Sequence, residues 1–254
     1  MARALWIFAI PTLWLSAQGQ DLSSRAGVGT LDAGYVVYQR IRISQQAQGI
    51  DGELQLLQDA RLPTTPRTNL WGRLEPFDFL SSSRSDRAQN AILRIVTKDG
   101  GVTEQKRFER ALAEMEEVRL YGDARVSYMV TVDYNVGFGK YNGPGTSILE
   151  IVGGHLTPLE ASDKATGKRE PIELLMSIRA AWKLGDARQG RARDIFYAVC
   201  AVKSSPGDAT LDAPLERVYR HYSFDGSKWI MAARHEKGCF EFYDPDFPDL
   251  KLFP

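Results

Sequence analysis

Residues 125–134 have the sequence RVSYMVTVDY, and this stretch decides the fold class. Valine and tyrosine occupy every second position, and most of the residues between them are polar. A period of two residues is typical of a β-strand, because successive side chains point to opposite faces of a sheet. One predicted face carries Val126, Tyr128, Val130, Val132 and Tyr134, and the other carries Ser127, Thr131 and Asp133.

Further strands are predicted on both sides of this stretch. They are rich in β-branched and aromatic residues and end at glycine-containing turns such as Asp99-Gly100-Gly101 and Asp225-Gly226. The apolar stretch 194–202 is predicted to be buried on both faces. The predicted strands cover residues 35–44, 91–97, 146–152, 155–161, 194–202, 217–224 and 228–233.

A helix is predicted over residues 104–120. Phe108, Leu112, Met115 and Val118 recur at helical spacing, and Gly122 suits a position just past a helix end. The residues between them are mainly good helix formers.

Residues 171–184 satisfy two patterns. Apolar residues alternate strictly from Ile172 to Leu184, as in a strand, but the same residues also form a helical face. Pro171 suits a first helical position, and the leucine, methionine and alanine content favours a helix.

Together the predicted strands and helices indicate an α+β or mainly β fold. We expect an antiparallel β-sheet meander with one or two packed helices in a single domain spanning residues 20–254.

The N-terminus has the three parts of a secretory signal peptide. Arg3 precedes an apolar run from Ala4 to Leu15, and small residues at Ala17 and Gly19 suit cleavage before Gln20. The run is about 12 residues long, whereas a bilayer-spanning helix needs roughly 20. We therefore expect residues 1–19 to be removed, leaving no membrane span, and the protein to be periplasmic or secreted. The alternatives are an uncleaved anchor or a buried N-terminal strand.

Cys200 and Cys239 are the two cysteines. In an exported protein an even number favours a disulfide, here closing a loop of about 40 residues. The alternative is a pair of buried free thiols, because cysteine also packs as a small hydrophobic residue.

Composition and motifs exclude several function classes. Basic and acidic residues balance at 32 each, so no broad positive field favours nucleic acid. The chain contains no GxSxG, P-loop, HExxH or EF-hand pattern, and Gly137 and Gly139 do not complete GxGxxG because position 142 is asparagine. We expect no metal site, and no cofactor is indicated.

The loop at residues 133–145 is the first candidate binding site. It displays charged, amide and aromatic side chains between two predicted strands, where binding groups are often presented. The alternative is a purely structural loop, in which asparagine and glycine permit turns and the aromatic rings anchor the segment. The candidate binding residues are Asp133, Tyr134, Asn135, Tyr141 and Asn142.

Two other charged segments have simpler explanations. Arg188, Arg191 and Arg193 could hold an anionic group, although the flanking Asp186 and Asp194 also fit an ordinary charged connection. The acidic tail around residues 241–249 could offer oxygen ligands to calcium but fits a solvated edge better.

Two function classes remain. The first is an exported module that binds a small ligand or a partner protein through the 133–145 loop. The second is a hydrolase-type enzyme that uses Asp133 with His155, His221 or His235, if the fold brings one of them close. The binding module is preferred, because no spacing of a nucleophile and a base points to catalysis.

Overall fold

The computed structural model describes residues 34–43, 49–59, 90–109, 112–133, 144–177, 179–188, 190–202, 215–239 and 247–254. This part of the chain contains fifteen β-strands in three sheets. Its only helical element is one turn of 3-10 helix at Leu250–Leu252. The mainly β prediction is therefore confirmed, whereas the predicted helices packed on the sheet are wrong.

Sheet I is an antiparallel meander of four strands in the order β1-β2-β3-β4. The predicted turn joins β3 to β4: Gly100 has a φ of 88°, and its amide donates to the carbonyl of Thr97. The strands are β1 (Tyr35–Ile43), β2 (Gly52–Asp59), β3 (Asn90–Thr97) and β4 (Val102–Glu109).

Sheet II has the order β11-β7-β6-β5, and β8 pairs with β7 beside this path. All of its pairs are antiparallel. The strands are β5 (Leu112–Val118), β6 (Ser127–Asp133), β7 (Gly145–Val152), β8 (His155–Pro158) and β11 (Glu173–Leu175).

Sheet III has the order β10-β9-β15-β14-β13-β12, and β15 and β9 form its parallel pair. The predicted hairpin around Asp225-Gly226 is confirmed as β14 and β15, with Phe224 opposite Trp229. The strands are β9 (Glu160–Asp163), β10 (Arg169–Pro171), β12 (Ala180–Leu184), β13 (Ile195–Val202), β14 (Leu215–Phe224) and β15 (Trp229–Lys237).

The three sheets stack as layers with sheet II in the middle. Tyr128, Val130 and Val132 of β6 belong to the core shared with sheet I, whereas Met129 and the neighbouring Ile148 belong to the core shared with sheet III. Residues 127–133 of the alternating stretch thus form a strand, as predicted, and the second face of this strand is covered as well.

A third cluster covers the outer face of sheet III. Phe253, from the end of the chain, packs edge-on against Phe196 and Tyr219, and Phe247 stacks on Phe253. Strand β13 is consequently covered on both faces, as predicted, because Tyr197 on its other side lies in the core shared with sheet II.

The helix predicted over residues 104–120 is wrong, because this segment forms β4 and β5. The strand partners decide the outcome: β4 pairs along β3, and β5 pairs along β6. Two glutamine side chains also satisfy the backbone of β5 from sheet I. Gln39 exchanges two hydrogen bonds with Met115, and Gln58 Nε2 donates to the carbonyl of Ala113 at 2.8 Å.

The helix favoured for residues 171–184 is also wrong. The strict alternation, which is typical of a strand, was the correct pattern, since Ile172, Leu174 and Ala180 are all fully buried. The segment is divided among the end of β10, β11 and β12, which belong to two different sheets.

The predicted disulfide is confirmed. Cys200 on β13 and Cys239, just after β15, are bonded, with their Cα atoms 5.3 Å apart. Within the ranges described above, no helix has the length and apolar character needed to cross a membrane.

Candidate functional site

The 133–145 loop connects β6 to β7 at one end of sheet II. Asp133 is the last residue of β6 and lies opposite Leu112. At the other end of the loop, the carbonyl of Pro144 accepts a hydrogen bond from the amide of Met176 at 2.9 Å. Both ends are therefore held by rigid backbone. The side chain of Asp133, and the residues Tyr134, Asn135, Tyr141 and Asn142, lie outside what the structure describes.

A polar group of side chains lies beside the base of this loop. The hydroxyls of Thr131 and Thr146 form a 2.8 Å hydrogen bond across β6 and β7, and Glu114 lies opposite Thr131. Burial raises the pKa of the Glu114 carboxyl, and the nearby charge of Glu116 raises it further. The loop base thus combines a partly desolvated carboxyl with a pair of hydroxyls.

The strand register separates Asp133 from His155. Val132 pairs with Gly145, whereas His155 pairs with Val152 at the far end of β7. Seven residues of strand correspond to about 23 Å. His155 lies instead near Glu104, with Nδ1 at 3.5 Å from Oε2.

The other two histidines lie on sheet III, His221 on β14 and His235 on β15. The ring of His221 stacks on Phe196, on the outer face of sheet III, whereas the adjacent Tyr222 packs toward sheet II. His235 is exposed and contacts Glu216 at 3.1 Å. No group of three or more metal-binding side chains occurs among the residues with described positions.

A cleft with a volume of about 160 Å³ lies between the β12–β13 connection and the C-terminal turn. Its walls carry two arginines, two aspartates and two large apolar side chains. These are Asp186, Arg188, Arg191, Asp194, Phe196 and Leu250.

The β12–β13 connection is held in place by its own hydrogen bonds and by the connection between β5 and β6. Arg193 donates from Nε to the carbonyl of Gly185 and from its amide to the carbonyl of Leu120. Gly122 has a φ of 74°, and a Cβ there would lie 2.3 Å from the carbonyl oxygen of Arg191. Only glycine permits this close approach, which fixes the arginine-bearing turn against the body of the protein.

His221 lies beside Asp194, one of the residues that line the cleft. Its Nε2 lies 3.5 Å from Asp194 Oδ2, and its Nδ1 lies 2.7 Å from the carbonyl oxygen of Pro254. The Nδ1 contact with Pro254 and the stacking of the ring on Phe196 hold the imidazole in one orientation. The sequence identified Arg188 and Arg191 as candidate ligands for an anion. It did not predict that His221, Phe196 and Leu250 lie close to them.

No protein-family model matches the sequence, no curated protein matches it, and no solved structure matches the fold.

Proposed function

We propose that this chain is an exported, non-catalytic module that binds a small ligand or a partner protein through the 133–145 loop. The supporting observation is the rigid base of the loop, held by the β6–β7 ladder and by the Pro144–Met176 hydrogen bond. Loops fixed on a rigid scaffold are common positions for binding residues.

The hydrolase alternative receives no comparable support. A general base must lie within hydrogen-bond reach of its partner, either directly or through one water molecule. The backbone of Asp133, one residue beyond Val132, lies more than about 23 Å along the sheet from the position of His155. His221 faces the opposite side of sheet III.

Export is supported by the disulfide. Cys200 and Cys239 are bonded, and disulfides persist mainly in oxidising compartments such as the periplasm and the extracellular space. The signal-peptide pattern of residues 1–19 agrees with this location, although those residues lie outside the described ranges.

The binding role predicts that Tyr141→Ala leaves the melting temperature nearly unchanged while weakening ligand binding. Surface substitutions usually change stability by about 0.5 kcal/mol or less, whereas truncating an interface aromatic often costs more than about 1 kcal/mol of binding. A thermal melt, combined with a small-molecule fragment screen by ligand-observed NMR, measures both effects. Hits on the wild type should be lost or weakened in the variant.

Tyr128→Ala provides the matched control, because Tyr128 is a fully buried tyrosine on the strand that leads into the loop. Its loss should destabilise the protein by about 3–5 kcal/mol. If Tyr141→Ala lowers the melting temperature as strongly as Tyr128→Ala, the ring of Tyr141 anchors the loop and the binding proposal is wrong.

A further inference from the structure

We propose that the cleft between the β12–β13 connection and the C-terminal turn binds the carboxylate of a small organic acid through Arg188 and Arg191. This site is independent of the 133–145 loop. The loop lies at the end of β7 that begins with Gly145, whereas the β12–β13 connection contacts Leu120 and Gly122, beyond the opposite end of β5.

Arg188 and Arg191 lie side by side with like charge. They form an isolated antiparallel bridge, and the amide of Arg191 donates to the carbonyl of Arg188 at 3.2 Å. Residues directly opposite in such a pair have side chains on the same face, with Cβ atoms about 5 Å apart, and like charges there are destabilising. A bound anion would relieve this repulsion.

Neither guanidinium has an ion-pair partner among the described residues, unlike several other surface arginines. Arg125 contacts Asp123, and Arg169 contacts Glu160, each at 2.9 Å. The two carboxylates of the cleft are not ion-pair partners of Arg188 or Arg191. Asp194 lies beside His221, and Asp186 forms no ion pair with either arginine.

The guanidinium fork matches a carboxylate, since each planar group can donate two parallel hydrogen bonds to its oxygens. The contacts of Gly122 and Arg193 hold the turn in place before any ligand arrives. The backbone of the site therefore needs no ordering on binding, and only the exposed side chains of Arg188 and Arg191 lose conformational freedom.

The apolar residues of the cleft can contact the body of a small ligand. Phe196 and Leu250 line the cleft together with the charged residues, and the volume of the whole cleft is about 160 Å³. A cavity of about 150 Å³ accommodates one benzene ring. The ligand class is therefore a carboxylic acid with a body of about one ring.

Titration of the full-length protein with benzoate, followed by amide chemical shifts in NMR, tests this site. We expect saturable binding with a Kd of about 1 mM or tighter. The double variant Arg188→Gln/Arg191→Gln should weaken binding at least about tenfold, and so should replacing benzoate with uncharged benzamide. The control Arg169→Gln removes an arginine that is already paired, so it should bind benzoate like the wild type.

The double variant should melt at the same temperature as the wild type or higher, because the repulsion is removed. If it fails to fold, Arg188→Gln alone supplies the comparison. The proposed site would be contradicted if benzoate binding did not saturate or if the double variant bound benzoate as tightly as the wild type. It would also be contradicted if benzamide bound as tightly as benzoate. Tyr141→Ala should leave benzoate binding unchanged, so failure of the loop proposal and failure of this site give different results.

Discussion

Replacing Cys200 and Cys239 together with alanine is expected to lower the free energy of unfolding by about 4 kcal/mol. The bridge links residues with a sequence separation of 39, and removing it returns loop-closure entropy to the unfolded chain. For a chain of this size the melting temperature should fall by roughly 8–16 °C. The bond also ties the segment after β15 to β13, at a point where the amide of Cys200 donates to the carbonyl of Arg179.

Thermal melts with and without reductant provide the control for this prediction. Reductant should lower the melting temperature of the wild type toward that of the double-alanine variant, and the variant itself should not respond. Equal melting temperatures for the unreduced wild type and the variant would mean that the bridge contributes nothing to stability.

Trp229→Ala should destabilise the protein by about 3–5 kcal/mol, as is typical when a large buried aromatic side chain is truncated. Trp229 is only 2% exposed and lies in the core between sheets II and III. Its ring contacts Tyr121 edge-on and lies tilted against Phe224, each with centroids 5.7 Å apart. Chemical denaturation of the purified variant measures the loss directly.

Val152→Ala is the surface control, because Val152 is 58% exposed, and it should change stability by about 0.5 kcal/mol or less. Trp229→Phe retains a ring in the same space and should cost less than Trp229→Ala. A loss below about 1 kcal/mol for Trp229→Ala would contradict the packing of sheet III on sheet II.

The strands could be predicted from the sequence where the local pattern fits a strand or a hairpin and no other structure. The alternating stretch 125–134 contains β6, at Ser127–Asp133, and the turn at Asp225-Gly226 joins β14 and β15. In both places the periodicity or the turn chemistry is complete within about ten residues, so no distant partner is needed to recognise it.

The helix over residues 104–120 was predicted wrongly because helix propensity and strand pairing disagree there. Glutamate and alanine favour a helix, and Phe108, Leu112, Met115 and Val118 fit a helical face. The pairing partners β3 and β6, and the glutamine side chains that bind β5, lie elsewhere in the sequence. Strand formation depends on such neighbours more than helix formation does.

The cleft could be predicted only in part, for the same reason. The spacing of Arg188 and Arg191 is visible in the sequence, and so is the glycine between them. The contact between Asp194 and His221 arises only because β13 and β14 pair with Phe196 opposite His221. Leu250 reaches the cleft because the chain end packs on sheet III.

The intact mass of the unreduced protein, recovered from an envelope or culture-medium fraction, tests the proposed exported module most directly. We predict a chain that begins at Gln20 and is lighter by two hydrogens than its reduced form, because Cys200 and Cys239 are bonded. A protein found only in the cytoplasm, with Met1 retained and both thiols reactive toward an alkylating reagent, would contradict this account.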